Sequence, residues 1–118
     1  MLKINISKSD VVIDEIKFIG HALYDIKGKD IVCAAVSSSM LTTVNAIMSF
    51  DGKSIKYEEN DTVVITNLKK DDVTNKLLEN LVNVLKELER QYPNNINITE
   101  EGGKWDVKHT FKYTIICI

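Results

Sequence analysis

Between Asp71 and Pro93 the chain carries an apolar stripe, Val73, Leu77, Leu81, Leu85 and Leu88, widened by Leu78 and Val82. Residues three and four apart share one face of a helix, so this spacing predicts a helix beginning near Asp71 or Asp72 with one broad apolar side. Proline lacks the N–H for a next helical bond, so Pro93 stops it. A helix of this kind must lay its apolar side on another element, which rules out an isolated or extended chain.

A second helix is signalled at Asp30-Ile31-Val32-Cys33-Ala34-Ala35-Val36 and runs to about Ser49. Asp is a favoured N-cap because its carboxylate accepts an otherwise unpaired backbone N–H. Val36, Met40, Val44 and Ile47 recur at helical spacing and face the core, and Asp51-Gly52 turns the chain. Leu2, Ile4 and Ile6 alternate with Lys3, Asn5 and Ser7, the period-two pattern of a half-buried strand. Further strands are expected at about 11–19, ending at Gly20, at 54–59 and at 62–66, with a tight turn near Asn60-Asp61. Asn97-Ile98-Thr99 adds an edge strand, and the alternation of Trp105, Val107, His109, Phe111, Tyr113 and Ile115 reads as one more strand or an ill-packed tail. The order is β-β-α-β-β-α-β: an α+β fold, with two main helices packed on a mixed or antiparallel sheet. The 118 residues suit one domain with a single core.

Fifteen basic and seventeen acidic side chains give a formal charge of -2. A phosphate-binding footprint needs clustered excess Lys and Arg, so direct nucleic-acid binding is not expected. The amino terminus lacks the long apolar core and small-residue cleavage site of a signal peptide, and no apolar run approaches the roughly 18 residues of a membrane span. A cytoplasmic location follows as an expectation, with Cys33 and Cys117 reduced. Neither cysteine has the neighbours of a zinc site, so no metal or other cofactor is expected.

Chemistry concentrates in Gly20-His21-Ala22 and Gly28-Lys29-Asp30-Ile31-Val32-Cys33-Ala34-Ala35-Val36-Ser37. With Asp30 as cap, Cys33 is the third helical residue, beside unsatisfied N–H groups and the positive end of the helix dipole. Both favour thiolate over thiol, the nucleophilic form. Free amides at the same helix start suit the oxyanion of a tetrahedral intermediate. His21 lies twelve positions before Cys33, at a strand end, and a loop of that length can fold its imidazole back as general base. Gly20 and Gly28 allow close backbone approach and loop opening over an extended substrate. Plainer readings stand beside these. A lone cysteine in an apolar turn is a small core residue, a histidine at a strand end is a surface residue, Asp30 is a cap first, and Ser37 either lines the site or bonds back to a carbonyl.

Residues 20–37 closely resemble the ribosomal-processing cysteine proteases, the Prp family, since both motif halves and their flanks match together. The resemblance extends over roughly residues 1–101. It implies a cysteine endopeptidase that removes the short N-terminal extension of a large-subunit ribosomal protein, bacterial bL27, during ribosome assembly. By position, His21 corresponds to the family's catalytic histidine and Cys33 to its nucleophile, with Asp30 and Ser37 in supporting roles and Gly20, Ala22 and Gly28 in the substrate loop. It also implies a homodimer, and an aromatic-rich peptide as substrate. Family members finish soon after the last strand, whereas this chain continues through Lys104–Ile118. That tail reads as an extra strand, a dimer contact or a poorly ordered segment, and Cys117 within it carries no motif.

Three other functions compete. A non-catalytic module docking on a ribosomal protein would leave Cys33 packed and unreactive. A thiol-transfer protein lacks a Cys-x-x-Cys pair or a nearby resolving cysteine. RNA binding lacks a basic face and an aromatic platform.

Overall fold

The computed structural model describes residues 1–26 and 28–102. Its elements run in the expected order: β1 (Leu2–Ser9), β2 (Val12–Ile19), α1 (Ile31–Phe50), β3 (Ile55–Glu59), β4 (Val63–Asn67), α2 (Asp72–Gln91) and β5 (Ile96–Gly102). The sheet order is β3-β4-β2-β1-β5. β1 pairs antiparallel with β2 and parallel with β5, and β4 pairs antiparallel with both β2 and β3. The sheet is therefore mixed.

Alternation along β1 buries Leu2, Ile4 and Ile6, which join Val32, Val36, Met40, Val44 and Ile47 of α1 and Leu78, Leu81 and Leu85 of α2 in one apolar core. The helices pack on each other and both reach the sheet. Among the described residues this makes two layers, and the Lys3, Asn5 and Ser7 side of β1 faces away from the core.

β2 departs from simple alternation. Ser7 faces Glu15, but Lys8 faces Ile13, so Asp14 is an extra residue, a β-bulge. A bulge leaves ladder groups unpaired. Two asparagines take up Ile13: its N–H donates to Asn75 Oδ1 at 2.9 Å, and its carbonyl accepts from Asn67 Nδ2 at 2.9 Å. The bulge lets Ile13 and Ile16, three positions apart, both lie in the core.

The phase of α2 corrects the expected stripe. Asp71 caps the helix by accepting the Thr74 N–H, and Thr74 rather than Val73 turns inward. Val73 is 54% exposed and Leu77 only half-buried, while Leu78, Leu81, Val82, Leu85 and Leu88 are buried. A second correction concerns α1. Its twenty residues hold no charge, and by length and composition it is long and apolar enough to cross a membrane. Interspersed Ser and Thr hide this from a search for unbroken apolar runs. The expected strand or tail from residue 104 onward, with His109 and Cys117, lies outside the described residues.

Candidate active site

β2 delivers the chain to one end of the sheet and stops at Gly20, whose φ is +84°. A Cβ there would meet the Met1 carbonyl oxygen at 3.0 Å, so both the dihedral and the close approach of the Met1 backbone call for glycine. His21 follows, exposed to solvent. Ala22 is fully buried, and its carbonyl accepts a hydrogen bond from Asn95 Nδ2 at 2.9 Å. Leu23 then adopts φ +55°, a left-handed conformation that costs a branched or bulky residue energy and that recurs at functional sites.

The loop is held again one residue on. The Tyr24 N–H donates to Asp30 Oδ2 at 3.1 Å, and the Tyr24 ring stands edge-on to Tyr92 with centroids 5.5 Å apart. Gly28, at φ +92°, lies exposed with open space around its Cβ position, so the dihedral alone asks for glycine there.

Asp30 is the N-cap of α1, as expected, and its Oδ1 accepts the Cys33 N–H at 2.9 Å. Its carboxyl lies below the ordinary value of 3.8, chiefly through that Cys33 bond, against an opposing desolvation, with the Tyr24, Asp25 and Val32 amides adding to the lowering. Cys33 is half-buried, its side chain packed against the core. It is the free cysteine of the described residues. Of the amides at the start of this helix, that of Cys33 is taken up by the cap itself. Ser37 lies exposed one turn further along. The back-bonding to a carbonyl considered for it occurs at Ser39 instead, whose hydroxyl donates to the Ala35 carbonyl at 2.8 Å.

Asp30 thus ties together the two motif halves: one oxygen holds the turn that bears Cys33, the other the loop that bears His21. Among the described residues no three His, Cys, Asp or Glu side chains gather as metal ligands. Two participants were not read from the sequence, Asn95 and Tyr92. They lie in the turn between α2 and β5, and Asn95 is 73 positions from its partner Ala22. The Tyr-Pro-Asn-Asn composition signals a turn and says nothing of what it touches.

A half-buried thiol in the first turn of a capped helix, joined through that cap to a histidine-bearing loop, is an arrangement suited to thiol-dependent hydrolysis. Residues 1–97 match the family model for cysteine protease Prp, and the chain belongs to that family of cysteine endopeptidases. It is similar to the ribosomal processing cysteine protease Prp of Mycoplasma genitalium, 38% identical over 105 residues, covering 86% of this chain and 98% of that one. The Mycoplasma pneumoniae protein of the same name is 39% identical over 85 residues, covering 70% of this chain and 82% of its own. The fold is shared with the Staphylococcus aureus ribosomal processing protease Prp, solved with a covalently linked product peptide. That match has a TM-score of 0.81 at 24% identity and covers 86% of this chain and all of that one.

Proposed function

We propose that this chain removes the N-terminal extension of the precursor of a large-subunit ribosomal protein, bL27, during ribosome assembly in the cytoplasm, with Cys33 as nucleophile and His21 as general base and acid. The observation that carries the reading is the Asp30 bridge between the Cys33 amide and the His21 loop. The names of the relatives, ribosomal processing cysteine proteases, support the substrate class.

In this mechanism His21 takes the Cys33 proton and the sulfur attacks the scissile carbonyl carbon. The tetrahedral intermediate collapses as His21 returns a proton to the leaving amine, giving a thioester on Cys33. Water, deprotonated by His21, then releases the acyl group and restores the thiol. Because Asp30 already holds the Cys33 N–H, the oxyanion is stabilised either by other donors or after Asp30 lets that amide go.

A homodimer is part of the proposal. α1 exposes Leu41 and Met48, seven positions apart on one side of an uncharged helix, a surface that a second copy can cover. Light scattering gives the mass of the assembly, and a monomer at micromolar concentration would remove this part.

The substrate reading is tested by incubating the protein with full-length bL27 precursor, with the mature form and with an unrelated protein bearing a disordered N-terminus. Intact-mass analysis should show one cut, in the precursor alone. An intact precursor that still binds would favour the docking-module reading, and indiscriminate cutting would leave a peptidase of another specificity.

A further inference from the structure

The turn between α2 and β5 is closed upon itself: the Tyr92 carbonyl accepts the N–H groups of Asn95 at 3.0 Å and of Ile96 at 3.2 Å. Asn95 is then held from outside, its carbonyl accepting the Leu2 N–H of β1 at 2.9 Å. What remains is its side-chain amide, and this donates to the Ala22 carbonyl, one residue beyond His21. Ala22 is fully buried, so that carbonyl has no water to fall back on.

The placement relative to Leu23 gives the contact its meaning. Leu23 is held at φ +55°, and its two neighbours are anchored, the Ala22 carbonyl by Asn95 and the Tyr24 N–H by Asp30. Strained backbone persists only where its surroundings over-determine it. The Tyr92 ring against the Tyr24 ring adds a second contact from the same turn. His21, exposed and with no secondary structure of its own, takes its position from these flanking anchors and from Gly20.

We propose that Asn95, assisted by Tyr92, is a positioning residue for peptide hydrolysis: its amide fixes the Ala22 carbonyl and thereby sets the imidazole of His21 for proton transfer with Cys33. The inference rests on the assignment of His21 as base. It predicts a defect in rate rather than in substrate binding. Asn95→Ala lowers kcat by about 10- to 100-fold, the range for a displaced catalytic group, with KM within about twofold of wild type. Asn95→Asp, which offers acceptors to a carbonyl, is as damaging near neutral pH. Tyr92→Phe retains the ring contact and keeps near-full activity, whereas Tyr92→Leu loses part of the rate.

A double-mutant cycle separates positioning from general structural damage. The readout is the rate of Cys33 alkylation by iodoacetamide at neutral pH, alongside cleavage of the bL27 extension peptide. Asn95→Ala should slow alkylation in the wild-type background and change it by less than about twofold in a His21→Ala background, because its route runs through His21. Equal slowing in both backgrounds, or an unchanged kcat for Asn95→Ala, would overturn the proposal. If Asn95→Ala does not fold, the Tyr92→Phe and Tyr92→Leu pair carries the test, and equal activity of the two overturns it. If His21→Ala alone leaves alkylation and cleavage unchanged, the base assignment itself has failed and the clamp falls with it.

Discussion

The carboxylate of Asp30 accepts the backbone N–H of Cys33 at 2.9 Å, and its second oxygen reaches back 3.1 Å to the N–H of Tyr24. One side chain therefore starts α1 and closes the loop that follows His21. Its helix half is an ordinary N-cap bond, and its loop half spans six residues.

Replacing Asp30 by Ala should cost stability by about 0.5–2 kcal/mol, the ordinary effect of losing an N-cap. The thermal midpoint should fall by several degrees, and cleavage should fall further than the unfolded fraction explains, because the loop loses its tie. Asp30→Asn keeps an acceptor for Cys33 and should be milder on stability. Thermal unfolding read beside peptide cleavage checks both, and an unchanged midpoint in Asp30→Ala would mean the cap contributes nothing.

Acid should remove the contribution of Asp30 in a defined direction. Its carboxyl is lowered in the folded chain, first by the Cys33 amide bond, so the folded state holds its proton less tightly than the unfolded state. The stabilisation is therefore complete above the ordinary value of 3.8 and is lost as pH falls through the lower folded value. Urea midpoints of wild type and Asp30→Asn should differ by a constant amount from neutral pH to about pH 5 and converge below about pH 4. A gap that widens in acid would reverse the sign of this linkage.

Element order, the α1 cap and the buried face of α1 were legible because each is set by residues within a turn of one another. Val36, Met40, Val44 and Ile47 are buried as their spacing requires. Val73 was misplaced because a single first-turn residue does not fix helix phase, and Thr74 is buried in its place. The Asp14 bulge and the parallel pairing of β5 with β1 were not legible, since both depend on partners far along the chain. The site divides the same way. The Asp30 cap was readable, and its carboxylate takes the Cys33 N–H. The Asn95 contact with Ala22 joins residues 73 positions apart, and no local pattern encodes it.

Asn67 offers a test of the bulge. Its amide donates to the Ile13 carbonyl, its oxygen accepts the Lys70 N–H at 2.9 Å, and the side chain is 1% exposed. Asn67→Ala leaves the buried Ile13 carbonyl unpaired and should cost about 1–3 kcal/mol. Asn67→Asp, which cannot donate to Ile13 when ionised, should be no better. Denaturant unfolding with an unchanged slope would show the loss as pure stability, and a cost near zero would mean water replaces the asparagine.

The most direct measurement incubates wild type, Cys33→Ser and His21→Ala with a peptide spanning the bL27 extension, reading products by mass and binding by fluorescence. Wild type should cut at one bond. Cys33→Ser should stay folded and bind the peptide without cutting it, and His21→Ala should lose nearly all its rate with little change in stability. Cutting by Cys33→Ser at the wild-type rate would contradict the assignment of the nucleophile, and with it the mechanism built on the start of α1.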